Sequence, residues 1–357
     1  MSIQHRRILI IKPSSLGDIV HALPVLSDLR ATWPDAHIAW LVGNSFAPLL
    51  EGHPLLDEII LFDRKRYGRM WRSPSASLAF WRFVHRVRQH RFDLVLDLQG
   101  LIRSGLMSFF SGARRRLGFS NAREGAWMFY THHVRAPRAL HAVDRNLRFL
   151  DGLGIRHDEP AFPLGLRDDE HAAAHTLLSN TAGNPLDEFT AVIPGARWQS
   201  KRWSPERIAD LIDAIHADGL PQCVLLGAPG EREFTDRVVK ACRSDVVDLV
   251  GRTTLRQLAA VIDLANRVVC HDSGPMHIAA ALNKPTVAIF GPTNPDRTGP
   301  YSPAATVVTH PLECAPCYRR ICPLGHHDCM RRLDVKTVLA HVRDLDPTDS
   351  ATAPRPR

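Results

Sequence analysis

The densest polar signal in the chain is Arg267-Val-Val-Cys-His-Asp272-Ser273-Gly274-Pro275-Met-His277. An apolar run ends there at a polar turn, and Pro275 takes the first position of a predicted helix. Free backbone N–H groups and the positive end of a helix suit a diphosphate. His277, on the first turn, either donates to a phosphate oxygen or is a capped core histidine. A second run, Thr190 to Ile193, leads into Pro194-Gly195-Ala-Arg197-Trp-Gln-Ser-Lys201-Arg-Trp-Ser-Pro-Glu206. Its cations can hold the charge of a departing diphosphate, although a solvated loop lysine is the plainer reading of Lys201. Gly227-Ala-Pro-Gly230-Glu231 is a Gly-rich turn ahead of a helix, a pattern that many α/β loops share. Near the start, Arg7 to Ile11 runs into Lys12-Pro-Ser-Ser-Leu-Gly17-Asp18. Gly17 admits a ligand close to the backbone, and Ser14, Ser15 and the helix end offer donors. Asp18 is either a helix cap or a catalyst. Neither G-x-G-x-x-G nor G-x-x-x-x-G-K-[ST] occurs at this turn, which speaks against a dinucleotide dehydrogenase and a P-loop phosphotransferase.

Four of the seven cysteines crowd into Cys314-Ala-Pro-Cys317-Tyr-Arg-Arg-Ile-Cys322-Pro-Leu-Gly-His-His-Asp-Cys329. The spacing admits a tetrahedral zinc or iron site or a set of packed reduced thiols. Lying between a strand and the last helix, the cluster is expected to be peripheral, structural and not catalytic. Without metal, its loop is expected to pack through Tyr318, Ile321 and Leu324. Cys223, Cys242 and Cys270 read as buried thiols.

The elements that must position these residues are short Val, Ile and Leu runs alternating with amphipathic segments. Strands are predicted at Arg7 to Ile11, His37 to Val42, Glu58 to Phe62 and Asp93 to Leu98. A second set covers Thr190 to Ile193, Gln222 to Leu226, Asp245 to Val250, Arg267 to His271, Thr286 to Phe290 and Ala305 to Thr309. Helices are predicted at Ile19 to Trp33, Pro205 to Asp218, Thr254 to Ala265 and Val335 to Leu345. Apolar strands alternating with helices imply an α/β fold with parallel sheets covered on both faces. The pattern restarts near residue 190, so two Rossmann-like domains facing a central cleft are expected. The boundaries are 1–165, a linker over 166–188, a second domain over 189–346, and a frayed tail over 347–357. Ligands of such sheets bind where the strands end.

The length of 357 residues fits two domains, and 45% apolar with 23% charged residues is an ordinary globular mixture. No apolar run is long enough to span a bilayer, and no secretory signal is read at the N-terminus, so a cytoplasmic protein is expected. The net charge is +8 and the pI near 9.4, with arginines crowded into the first half. Such a field favours an anionic partner. No nucleic-acid reader module is present, and the basic residues are not interleaved with aromatics as on a single-strand platform, so nucleic acid is not expected.

Taken together, Ile8 through Pro24, Asp97-Leu-Gln-Gly-Leu-Ile-Arg103-Ser, Lys201-Arg-Trp and Asp272-Ser-Gly-Pro-Met-His277 resemble glycosyltransferase family 9, the lipopolysaccharide heptosyltransferases. The match runs in order from about residue 7 to 340. The resemblance implies the GT-B architecture, with a last helix that often returns to the first domain. It further implies an inverting enzyme that moves heptose from ADP-L-glycero-D-manno-heptose to an anionic lipid A-core acceptor (Kdo or heptose). That activity needs no cofactor and no catalytic divalent metal, and no metal ligand is assigned. By the same resemblance Asp18 is the general base and Lys201 stabilises the leaving diphosphate. Donor-binding positions are Gly17, Gly195, Arg197, Gly227, Asp272, Ser273, Gly274, Pro275 and His277. Acceptor-binding positions are Arg64, Arg66, Gln99, Arg103 and Arg123. Peripheral contact with the cytoplasmic face of the inner membrane follows from such an acceptor. Asp97-Leu-Gln-Gly and Asn121-Ala-Arg-Glu124 resemble enzymes that add the first heptose. The cysteine cluster is more typical of second-heptose branches, and a four-cysteine iron site occurs in related autotransporter heptosyltransferases. An alternative is a relative that uses another nucleotide-sugar for a different glycan or a protein acceptor.

Overall fold

A computed structural model describes residues 5–69 and 72–345. The tail expected to fray, 347–357, lies outside the described residues. The chain divides into two compact units, Met1–Gly165 and Leu166–Arg357.

The first unit is built on β1 (Arg7–Ile11), β2 (His37–Gly43), β3 (Glu58–Phe62), β4 (Leu94–Asp97), β5 (Arg115–Phe119) and β6 (His132–Val134). They form one parallel sheet in the order β3-β2-β1-β4-β5-β6. Ile8 to Ile11 of β1 are fully buried, as a central strand covered on both faces requires. Strands β5 and β6 are absent from the sequence reading. β5 opens on Arg115-Arg116, which reads as surface charge, and Gly118 lowers its strand propensity. The structure supplies the reason for that glycine: a Cβ at Gly118 would fall 2.1 Å from the Tyr130 ring. The single helix expected over Ile19 to Trp33 is two, Leu16–Val20 and Leu23–Thr32. Pro24 has no N–H to return to Val20, so one continuous helix would lose a bond and meet a clash there.

The second unit carries β7 (Thr190–Ile193), β8 (Cys223–Leu225), β9 (Val247–Asp248), β10 (Arg267–His271), β11 (Thr286–Phe290) and β12 (Ala305–Thr309). Their order is β12-β11-β10-β7-β8-β9, again all parallel. Each unit is therefore a doubly wound, Rossmann-like sheet whose strand order reverses between two neighbours, β1 and β4 or β7 and β10. The stretch 166–188, expected as a linker, carries the helix Asp168–Ala182. Its Glu170 accepts from Arg256 Nε at 2.6 Å, which ties it to the helix Leu255–Leu264. The last helix is Val335–Arg343, two residues shorter than expected. Val338, Leu339 and Val342 on it join the core of the second unit with Trp203, Ile208 and Ile289.

Candidate active site

In the first unit the end of β1 carries Lys12, and the turn beyond it enters the helix Leu16–Val20. Asp18 lies in the first turn of that helix. Its Oδ2 accepts from the Ser15 N–H at 2.8 Å and from the Ser15 hydroxyl at 2.7 Å. Asp18 is thus a capping residue, and at 42% side-chain exposure it also presents its carboxylate to solvent. Lys12 is not among the expected site residues, although a lysine directly after an apolar strand is a usable signal. It is almost wholly buried, donates from Nζ to the Leu98 carbonyl at 2.7 Å, and stands 3.8 Å from Asp18 Oδ1. Burial pulls the Lys12 pKa below its ordinary value, while Asp18 and Asp97 pull it back up.

Asp97, at the end of the neighbouring β4, is structural. Its Oδ1 accepts from the N–H groups of Gln99 (3.0 Å) and Gly100 (3.1 Å), and Tyr130 donates to its Oδ2 at 2.7 Å. Burial raises the Asp97 pKa against those bonds. This carboxylate fixes the turn that carries Gln99, whose Oε1 is buried without a protein partner. Arg103 follows on the exposed face of the helix Ile102–Phe110, and the Arg123 N–H donates to the Gly100 carbonyl at 3.0 Å. Arg123 also acts electrostatically on Lys12. Asp18 thus follows β1, Gln99 and Arg103 follow the adjacent β4, and Arg123, after β5, is tied to the β4 turn through Gly100. Arg64 and Arg66 sit apart, on the helix Arg64–Tyr67 after β3, which β2 separates from β1.

The second unit places its candidates after β7, β8 and β10, which are neighbours in the sheet. Lys201 Nζ meets Asp272 Oδ2 at 2.6 Å, with side-chain exposures of 16% and 7%. Thr293, after β11, donates its hydroxyl to the same Oδ2 at 2.5 Å. The Lys201 ammonium also lies over the Trp198 ring, 4.7 Å from its centroid. His271 holds this loop in place: its Nδ1–H donates to the Pro194 carbonyl at 3.0 Å, and its Nε2 accepts the Trp203 N–H at 3.2 Å. Burial pushes the His271 pKa down to about 4, so the imidazole is neutral, as this tautomer requires. The helix Gly274–Ala281 begins one residue earlier than expected, with Ser273 as its N-cap and Pro275 in its second position. The Ser273 hydroxyl oxygen is buried with no protein partner, and His277 is buried.

Glu231 spans two of the glycine turns. It accepts the Ala228 N–H at 2.9 Å, and a Cβ at Gly195 would fall 2.1 Å from its Oε1. Gly195 is therefore needed for close approach, and Glu231 puts a carboxylate beside the ends of β7 and β8. Arg197 lines a depression of about 790 Å³ together with Arg202, Trp203, Arg207, Phe234 and Arg237.

The cysteine loop is not peripheral, which corrects the expectation. It grips the residue next to Lys201: Ser200 donates from Oγ to the Arg319 carbonyl at 2.6 Å and from N to the Arg320 carbonyl at 3.2 Å. His327 Nε2 donates to the Ser200 carbonyl at 2.6 Å. Cys314, Cys317, Cys322 and Cys329 line one cavity of about 20 Å³ with Ser200, Pro292 and His327. Tyr318, Ile321 and Leu324 do not pack the loop; they are 41%, 73% and 62% exposed. Backbone hydrogen bonds and the buried Cys329 and Met330 hold it instead, because their sulfurs lie against Gly291, where no Cβ could fit. Backbone N–H groups, that of His327 foremost, hold the Cys322 thiol below its ordinary pKa, whereas burial pushes Cys329 up to about 11. All four are free thiols, and among the described residues no group of three or more His, Cys, Asp or Glu is arranged to hold a metal ion.

The sequence pattern of glycosyltransferase family 9 (heptosyltransferase) matches residues 80–327. The chain belongs to that family. Lipopolysaccharide heptosyltransferase 1 of Salmonella typhimurium is 30% identical over 298 residues, covering 83% of this chain and 91% of that protein. The family 9 glycosyltransferase structure from Veillonella parvula superposes with a TM-score of 0.84 at 25% identity, covering 97% and 98% of the two chains. The Escherichia coli heptosyltransferase WaaC with ADP-2-deoxy-2-fluoro heptose gives a TM-score of 0.74 at 26% identity, covering 95% and 99%. This family 9 chain thus has the α/β, GT-B fold of two Rossmann-like domains.

Proposed function

We propose that this family 9 enzyme is an inverting heptosyltransferase. Its donor is ADP-L-glycero-D-manno-heptose and its acceptor a Kdo or heptose hydroxyl of the lipopolysaccharide inner core. The observation that carries the reading is the Lys201–Asp272 pair fixed at the strand-order reversal of the second sheet, where the fold class binds nucleotides. The sugar-nucleotide complex of the similar WaaC protein supports the donor class.

In this mechanism the acceptor hydroxyl loses its proton to Asp18, and its oxygen attacks the anomeric carbon from the face opposite the diphosphate. The bond from that carbon to the diphosphate oxygen breaks, and its electron pair leaves with ADP. Lys201 meets the growing diphosphate charge, and the helix end at Ser273-Gly274 with His277 binds the phosphates. Gly17, Gly195, Arg197, Gly227 and Pro275 complete the donor site. Arg64, Arg66, Gln99, Arg103 and Arg123 hold the carboxylates and phosphates of the acceptor. No step calls for a divalent metal, since a lysine and backbone donors carry the leaving group. The acceptor is lipid-borne, so the enzyme works as a peripheral protein at the cytoplasmic membrane face.

The test measures nucleotide release from ADP- and UDP-sugars with and without lipid A-core acceptors. Acceptor-dependent ADP release from ADP-heptose is expected. Release of UDP and never ADP would favour another nucleotide-sugar and a different glycan or protein acceptor.

A further inference from the structure

The first unit exposes large apolar side chains on three successive helical elements, separated in the chain by β4 and β5. Leu78 (53%) and Trp81 (50%) lie on the helix Pro74–Gln89, Phe109 (50%) on Ile102–Phe110, and Trp127 (49%) and Met128 (61%) on the turn Ala126–Phe129. A chain of aromatic rings ties the three elements together. Ring centroids step from Trp81 to Phe110 (5.5 Å), to Phe109 (5.7 Å), and to Phe129 (6.0 Å). Gly105 lets the turn seat directly on its helix, for a Cβ there would lie 2.9 Å from the Phe129 ring. Arg116 locks the edge by donating to the Phe129 carbonyl at 2.9 Å, with its guanidinium 5.6 Å from the Phe109 centroid. The platform is therefore rigid as well as exposed.

Its own charge is basic, with Glu124 at the edge accepting the Ile102 N–H at 3.2 Å. The three elements carry Arg82, Arg86, Arg88 and Arg103 and no Asp or Glu. A contiguous apolar patch on a soluble protein marks an interaction site. Half-exposed tryptophans on elements that carry arginine and no acidic residue suit the boundary between lipid headgroups and acyl chains, where the indole is amphipathic and arginines meet anionic headgroups. A second copy of this chain would bring the same uncompensated arginines against themselves.

We infer that this Trp81–Phe109–Trp127 platform docks the protein on an anionic lipid surface. The inference builds on the proposed lipid-borne acceptor by naming the surface that meets the membrane. The test is co-sedimentation with phosphatidylethanolamine vesicles containing about a quarter phosphatidylglycerol, beside pure phosphatidylcholine vesicles. Wild type should bind the anionic vesicles, more weakly as salt rises. Binding should fall at least ~10-fold in Trp81→Ser/Trp127→Ser and several-fold in Arg82→Glu. Donor affinity and melting temperature, unchanged in Arg82→Glu, show that the fold is intact. Failure of the wild type to bind, or variants that bind as well as it does, overturns the inference. So does a concentration-dependent dimer that the same substitutions abolish, since a second copy would then be the occupant. Turnover with a delipidated, water-soluble core acceptor keeps the two questions apart. The variants should retain it, and its absence in wild type would count against the proposed reaction while leaving vesicle binding to stand or fall alone.

Discussion

Lys12 and Asp18 at the end of β1 stand 3.8 Å apart, whereas Lys201 and Asp272 beyond β7 and β10 meet at 2.6 Å. The burial is reversed as well. In the first pair the lysine is enclosed and the carboxylate is 42% exposed; in the second the carboxylate is the more enclosed, at 7%. A carboxylate held by Ser15 yet reached by solvent can receive a proton from an incoming hydroxyl. A lysine clamped to a buried carboxylate, with Thr293 on the same oxygen, is better suited to a fixed charge that a diphosphate encounters ready-made. One pair sits on the single turn after β1 and the other joins the turns after β7 and β10, and under the proposed mechanism the member that the fold buries suits each pair to an opposite task.

The largest effect expected from this division is at Asp18. Asp18→Asn keeps the shape and an acceptor oxygen for Ser15 but gives no base, so transfer should fall by about 100- to 10,000-fold. Donor affinity, read by titration with ADP-heptose, should be nearly unchanged. Near-normal turnover would leave Asp18 a cap and dissolve the contrast. Next comes Lys201→Ala, for which kcat should fall by roughly 100- to 1,000-fold. The rise in donor Kd should be smaller, because the diphosphate gains charge as the bond breaks. Equal losses in kcat and affinity would make Lys201 a ground-state contact.

The strands that carry these residues are legible in the sequence, whereas the roles of Asp18 and Lys201 rest on the family resemblance. Asp18, Lys201 and Asp272 each follow a buried apolar run, and the runs Arg7–Ile11, Thr190–Ile193 and Arg267–His271 are strands with those same ends. The parallel α/β class followed from the same alternation. What stayed hidden depends on partners far apart in the chain. Lys12 matters because the Leu98 carbonyl, 86 residues on, accepts its hydrogen bond in the interior. His271 looks like another strand residue until Pro194 and Trp203 close around it. β5 was invisible because its arginines are satisfied by loop carbonyls and its glycine by a tyrosine ring, neither of which leaves a local pattern.

The cysteine loop offers a milder way to disturb only the closed pair. Ser200 is bound through its N–H, its hydroxyl and its carbonyl to that loop, so slack in the loop should reach Lys201. Cys322→Ser/Cys329→Ser replaces a buried sulfur by a smaller hydroxyl without an assigned partner, which costs stability. The melting temperature and kcat should fall together, kcat by no more than about 10-fold, which is about 1.4 kcal/mol in barrier. Donor Kd should hardly move. A lowered melting temperature with unaltered kcat would show that Lys201 is held without the loop.

The smallest expected effect tests the open pair through proton linkage. Burial is the leading influence on Lys12 and lowers its pKa from the ordinary 10.5, with the attraction of Asp18 and Asp97 second. Below the lowered value the ammonium is charged in the folded and unfolded chains alike, and the full cost of burying it is present. As pH climbs from there toward 10.5, the unfolded chain holds more protons than the folded one, so this residue's contribution to stability rises with pH. Lys12→Met has no proton to lose. Its melting temperature relative to wild type should therefore be highest at neutral pH and decline steadily in alkaline buffer. Loss of the Leu98 hydrogen bond shifts that difference by a constant and leaves its slope alone. Melts of both proteins from neutral pH to about 10.5 read the slope directly. A difference that is flat, or grows with pH, would mean that Asp18 and Asp97 hold the ammonium at least as strongly as burial disfavours it. The first pair would then be as closed as the second, and Asp18 a poor candidate for taking a proton.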